Sequence, residues 1–317
     1  MKYQKHPLTI DQQIAKLEER GLFFENRSLA KNYLGNISYY RLRAYTYPFQ
    51  NNDDPELDHQ FIRDDISFQD VIDLYLFDRR LRALIFNELE KVEVAMRTKL
   101  SQIYSEYTND SHWYEDPNWY DPATLIPYGI NSDSDFDNVS QDIYNDVSRS
   151  GEDFIKHFYN KYDSPDMPPS WMTMEVISFG TLSWLYKLLK NNDFKKDVAK
   201  AFGIPNVDIF ANWLHAFSGL RNCCAHHSRI WNRRFAVKIT LPYNTIYPFI
   251  SRDEAQKIKQ NKLFAVLSAL KYVVDIISPN NSFKQKLFSL LNENHRLLSM
   301  REMGFPVGWE NYPVWRC

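Results

Sequence analysis

Glycine is scarce in this chain: 9 residues in 317, where average usage is about 7%. Tight turns and hairpins draw on glycine for positive φ, so the shortage points to helices joined by few connections. Cysteine is scarcer, at 3. Two of them, Cys223 and Cys224, are adjacent, which is no disulfide framework, and no Cys-x2-4-Cys pair exists to nucleate a zinc module. Neither sign of charge is in excess: 38 Lys+Arg face 40 Asp+Glu, a net −2. An anionic partner would therefore have to be held by a local patch. No apolar run is long enough to cross a bilayer. The greasiest segment, LFAVLSALKYVVDIIS at 263–278, is cut by Lys271 and Asp275 and falls short of the roughly 20 residues required. The opening MKYQKHPLTIDQQIAKLEERG lacks the apolar core of a signal peptide. The expectation is a cytoplasmic protein without membrane association.

What is present is helical periodicity. A 44% hydrophobic and 25% charged composition is that of a globular chain, and 15% aromatic residues is high. Residues 8–48 suggest two or three short helices, followed by a polar loop at 51–60. Ser67-x-x-Asp70 has the form of a capping box. It precedes Phe77, Leu81, Leu84/Ile85, Leu89, Val92, Met96, Leu100 and Ile103, a buried seam at three- and four-residue spacing. WYEDPNWYDP and NSDSDFD, within 108–136, read as an insertion or long loop. Helices are expected at 137–148 and 151–162, then after the SPDMPPSW break to about 190 with a bend at Phe179-Gly180. Further helices follow at 193–202, 206–228, near 252–277 and at 281–296, ahead of the aromatic tail MGFPVGWENYPVWRC. The fold class is all-α, a helical bundle with long connections.

Chemistry-bearing side chains concentrate in GLRNCCAHHSRIWNRRF at 219–235. At 100° per residue, Phe210, Trp213, Leu214, Phe217, Leu220 and Cys224 share the core side of the 206–228 helix. Ala211, His215, Ser218, Gly219, Asn222 and His226 share the opposite side, where Ser218-Gly219 would make a shallow dimple. Asn222 and His226 are i,i+4 neighbours, and Arg221 lies about 140° from His226 on a regular helix. A zinc site is disfavoured because Cys223 and Cys224 point about 100° apart; no metal and no cofactor is expected. A Cys223 nucleophile has no oxyanion-hole or orienting partner in the sequence. A polar helix end with satisfied histidines accounts for the same residues.

The hexapeptide Arg221-Asn222-Cys223-Cys224-Ala225-His226 resembles the RNxxxH signature of the HEPN superfamily of helical ribonucleases. The longer LRNCCAHHSRIWNR is similar to the form found in Abi-like (AbiD/AbiF) abortive-infection proteins. LGNISYYRLRAY at 34–45, LYLFDRRLRALIFNELEKVEVAMRTKL at 74–100 and PPSWMTMEVISFGTLSWLYKLL at 168–189 are similar to that family too, in its order. The resemblance implies an N-terminal helical segment at 1–60, a HEPN-like bundle at 61–240, and a C-terminal helical extension with the aromatic tail at 241–317. It also implies a homodimer with a composite site and metal-independent RNA cleavage in antiviral defence. Arg221, Asn222 and His226 are the catalytic positions carried over. His227 and Arg229 match the Abi-like form, whereas the tyrosine of some HEPN toxins is replaced by Ser228.

The chemistry fits those residues. Histidine moves protons near neutral pH, arginine holds phosphate oxygens with a fixed fork of donors, and asparagine can orient either. His227 is a candidate for the second proton transfer. Glu93 and Arg97 stand i,i+4, either as an ordinary surface pair or as supports that fix Arg221 or His226; Glu90 lies on the same side of that helix. Arg229, Arg233 and Arg234, interleaved with Trp231 and Phe235, are candidates to grip RNA backbone and stack on a base. Tyr39 and Tyr40, in the Tyr39–Arg43 stretch, are open to two readings, and packing in the core is favoured over base stacking. Such an enzyme needs restraint, by an RNA or protein antitoxin or by a closed resting state. Two rivals remain at this point: a non-catalytic RNA-binding module, and a protein that only dimerises through this face.

Overall fold

The computed structural model describes residues 2, 4, 6–57, 59–129, 132–293 and 295–316; Asn131 and Cys317 lie outside the described residues. All regular structure among them is helical, and strand-like pairing is confined to the bridges Phe23–Ser67, Gln50–Phe61 and Tyr120–Leu189. The chain is all-α. No helix among the described residues is long and apolar enough to cross a membrane. The residues form two compact units, Met1–Ala83 with Leu287–Ser299 and Leu84–Lys286 with Met300–Cys317.

In the first unit, α1 (Ile10–Glu19) starts on a Thr9–Gln12 capping box, and α2 (Arg27–Ile37) and α3 (Tyr39–Thr46) are divided by Ser38 at φ 69°. The expected Ser67/Asp70 box opens α4 (Phe68–Thr108): Asp70 N–H donates to Ser67 Oγ at 3.1 Å and Ser67 N–H to Asp70 Oδ2 at 2.9 Å. Buried Asp78 accepts from Tyr45 Oη at 2.7 Å and from Arg82, a pairing that a charge at this depth requires. Of the two tyrosines expected in the core, Tyr39 is half-buried and accepts from Arg20, whereas Tyr40 is exposed.

In the second unit, Ile85, Leu89, Val92, Met96 and Leu100 of α4 are fully buried, as the spacing predicted, and Tyr104 rather than half-buried Ile103 extends the seam. The segment read as an insertion is part of the core instead. Trp113, Tyr114 and Tyr120 are buried there: the first two sit on the first of three short 3-10 turns, Trp113–Glu115, Pro117–Trp119 and Pro122–Leu125, and Tyr120 lies between the second and the third. Its aromatic residues have no periodic spacing because 3-10 turns set no 3.6-residue repeat. Then come α5 (Asp135–Ser148), α6 (Asp153–Lys161), α7 (Ser170–Val176) and α8 (Phe179–Leu188). Where a bend at Phe179-Gly180 was expected, the helix breaks completely one step earlier: Ser178 caps α8, and Asp146 of α5 accepts from Ser178 N–H at 2.9 Å and Thr181 Oγ at 3.1 Å. After α9 (Asp193–Ala201) comes α10 (Val207–Ala225), which packs on α8, on α9 and on α12. The chain continues through α11 (Arg252–Ala255), α12 (Leu263–Ile277), α13 (Phe283–Leu291) and α14 (Pro313–Arg316). The aromatic tail belongs to the same core: Trp315 stacks on Phe264 of α12, and its indole N–H donates to Ser268 Oγ at 3.0 Å.

Candidate active site

The helix that carries the arginine, asparagine and histidine is held at both ends. Asn206 caps α10 by accepting from Asp208 N–H at 2.9 Å and Ile209 N–H at 3.0 Å. Along its first half the returning chain is tied to it: Thr240 N–H donates to Asn212 Oδ1 at 2.8 Å, and Trp213 Nε1–H donates to the Thr240 carbonyl at 2.8 Å. The predicted core side is buried throughout, from Phe210 to Cys224. The predicted dimple is only half open. Ser218 is buried beneath α8, where a Cβ on Gly180 would stand 3.7 Å from its hydroxyl, while Gly219 faces open space.

The helix ends at the histidine pair, three residues before the expected Ser228. His226 is the C-cap, with its N–H donating to the Asn222 carbonyl at 2.9 Å. His227 follows at φ 55°. Its N–H donates to Cys224 O at 3.1 Å, and Ser228 N–H donates to Cys223 O at 2.8 Å. Those two bonds are a Schellman closure with histidine in the left-handed position usually given to glycine. The closure turns the chain away sharply and leaves both imidazoles, with Asn222, on the exposed surface. Cys223 and Cys224 are free thiols, and among the described residues no three His, Cys, Asp or Glu side chains gather as a metal site would require.

Arg221 points to α4. Its Nε stands 3.4 Å from Glu93 Oε2, outside good hydrogen-bond geometry but well within ion-pair range. The other oxygen of Glu93 accepts from Arg97 Nη2, and Arg97 Nη1 donates to the Met174 carbonyl of α7. Glu93 and Arg97 are only 9% and 8% exposed, so the pair is not the solvated surface bridge its spacing allows. It is a buried support for Arg221. The cluster holds two guanidiniums and one carboxylate, so one positive charge is left over. The half-buried Arg221 is where it meets solvent, with one face 6.0 Å from the Phe86 ring and Nη1 3.5 Å from Asn222 Oδ1.

Phe86 is a site residue that the sequence reading missed. It stands seven residues before Glu93, on the same helical stripe, and an aromatic residue on the polar side of α4 was the available signal. Glu90 is exposed and turns to a different depression, with Asn87, Lys91 and Ile277.

The basic segment after the helix is only partly a surface. Arg234 is exposed, Arg229 and Arg233 are half-buried, and Phe235 N–H donates to Asn261 O at 2.8 Å. Trp231 is 1% exposed. Its assignment to base stacking is therefore corrected: the indole anchors the segment in the core and has no face to offer a base.

Breaking the carboxylate out of this cluster has a predictable cost. Glu93→Ala would leave buried Arg97 with an uncompensated charge, which is worth about 3–5 kcal/mol of stability. Urea unfolding of Glu93→Ala beside Glu93→Gln measures it, and an unchanged midpoint for the alanine variant would show that the ion triad holds nothing together.

The family model described as "Abi-like protein" matches residues 32–232, a span that contains Glu93, Arg97, Arg221, Asn222 and His226. No curated protein matches the chain. No solved structure matches it.

Proposed function

Because the chain belongs to the Abi-like protein family, we propose that it acts in abortive-infection defence as a metal-independent endoribonuclease of the HEPN type. The observation that carries this reading is the placing of Arg221. A half-buried guanidinium backed by the buried Glu93–Arg97 pair and set against Asn222, on the helix that ends at exposed His226, supports a phosphate site served by a proton-transfer group.

In the proposed reaction the ribose 2′-oxygen attacks the adjacent phosphorus as its proton passes to an imidazole. Arg221 stabilises the charge on the phosphoryl oxygens, and Asn222 orients His226 or the phosphate. The P–O5′ bond then breaks, with a second imidazole giving a proton to the departing 5′-oxygen. One histidine cannot readily act as both base and acid in a single step. The second is supplied either by His226 of another copy in a homodimer or by His227 of the same chain. The products are a 2′,3′-cyclic phosphate and a 5′-OH, and intact DNA, which has no 2′-OH, is not cut. In the cell such an activity needs restraint, by an RNA or protein antitoxin or by a closed resting state.

The test is inducible expression of the wild type beside Arg221→Ala and His226→Ala, with sequencing of newly formed RNA ends. Cyclic-phosphate ends that vanish in both variants support the proposal. RNA binding without any new ends in the wild type would instead make the protein a binding module.

A further inference from the structure

Arg97 also lines a groove of about 450 Å³ between α4 and α7, in the size range of pockets that take small molecules. Its α4 wall carries Arg97, Gln102 and Glu106; its α7 wall carries Trp171, Met174 and Glu175. The walls are fastened together, since Ser170 at the start of α7 is 2.9 Å from the hydroxyls of both Ser101 and Ser105. Trp171, the next residue, is 55% exposed. A large indole standing in an open groove on a pinned helix is a flat, rigid stacking surface.

The charges of the lining say what would stack there. Arg97 is its one cation, and that charge is already engaged by Glu93. Glu106 and Glu175 add two carboxylates, the first positioned by Gln102 Nε2–H at 3.0 Å. The groove therefore repels phosphate while offering acceptors to N–H donors. Adenine and cytosine carry exocyclic amino donors, whereas uracil presents carbonyl oxygen in the same place. The phosphate would lie one step away, because Glu93 joins Arg97 directly to Arg221.

We propose that this groove receives one unpaired, amino-bearing nucleobase of the RNA whose phosphodiester sits at Arg221 and His226. The base stacks on Trp171, and its amino group donates to Glu106 or Glu175. This rests on the ribonuclease reading and gives it a base preference.

The test measures affinity apart from cleavage. In a His226→Ala background, ten-nucleotide oligo(A), oligo(C) and oligo(U) RNAs are titrated by fluorescence anisotropy at one fixed salt concentration. Oligo(A) and oligo(C) are expected to bind more tightly than oligo(U). Trp171→Ala should weaken binding of the first two by about tenfold, the usual size of one base–aromatic stack. Trp171→Phe should restore most of it, while Trp171→Leu, which keeps apolar bulk without a π face, should behave like alanine. Paired Glu106→Gln and Glu175→Gln substitutions should abolish the difference between oligo(C) and oligo(U). Circular dichroism checks that each variant folds. Equal binding of all three RNAs by the parent, or undiminished binding by the alanine and leucine variants, overturns the proposal. RNA cleavage by the wild type tests the ribonuclease reading separately: cleavage that Trp171→Ala leaves unchanged sinks the groove alone. Trp171-dependent binding without wild-type cleavage supports the groove and sinks the nuclease.

Discussion

His226→Ala is expected to leave a folded protein that cuts RNA roughly 10²–10⁴-fold more slowly, the usual contribution of one general acid or base. The fold should tolerate the change. His226 is exposed, sits at a helix C-cap, and contributes to that cap through its backbone N–H, which alanine retains; exposed substitutions of this kind usually fall within about 0.5 kcal/mol. Single-turnover cleavage beside a thermal melt separates the two quantities. His227→Gly is the informative companion, because glycine takes φ 55° without strain and keeps the closing turn. A slow His227→Gly protein with an unchanged or raised melting temperature would give that imidazole the second proton transfer. Adding Arg221→Ala to His226→Ala should cost much less than the two single losses combined, since groups acting in one step are not additive. Wild-type rates in His226→Ala would remove the His226 imidazole from the chemistry.

Above pH 10 the second unit is expected to lose stability at about 5 kcal/mol per pH unit, the combined slope of four phenols that titrate only after unfolding. Burial holds the hydroxyls of Tyr104, Tyr114, Tyr120 and Tyr186 well above the ordinary tyrosine range. Tyr114 and Tyr120 donate to the carbonyls of Pro168 and Tyr114, both at 2.5 Å, and Tyr186 donates to Lys195 O at 3.1 Å; a phenolate could make none of these bonds. The sign follows from proton counting. Below pH 10 both states keep these protons. Above it the unfolded chain releases them while the folded one does not, so stability falls. Lys195 acts the other way at lower pH. Burial pulls its ammonium down to about 8, so between pH 8 and about 10 the unfolded chain binds more protons and stability rises gently. Urea midpoints should therefore climb slightly from pH 8, then collapse within roughly one to three pH units above 10, given a typical domain stability of 5–15 kcal/mol. Solvent-exposed tyrosines ionise near about pH 10 whether or not a chain is folded, so the defeating result is tyrosinate absorbance that accounts for all 20 tyrosines while the far-ultraviolet dichroism is still native.

The regular parts of this fold were readable because helices repeat. The α4 seam, the Ser67/Asp70 box and the apolar stripe of α10 each follow from spacing alone, and the structure places them as that spacing requires. Errors fall where the backbone leaves the 3.6-residue period. The Trp113–Tyr120 stretch packs through 3-10 turns, α7 and α8 are separated by the Ser178 cap, which Asp146 of another helix holds in place, and the α10 terminus is set by a closing turn. Trp231 shows a related limit: an aromatic residue among arginines has the same composition whether its indole is buried or free in solvent.

For the site, the sequence by itself determined which side chains share α10 and that Asn222 and His226 stand one turn apart, because helical geometry is local. It could not decide what Glu93 and Arg97 are for. Two residues four apart make the same i,i+4 pair on a surface or under a neighbouring helix, and only packing buried them and brought Arg221 onto Glu93. The pairing spans 128 positions, and no local periodicity carries information over that separation; only the tertiary structure sets the distance across it.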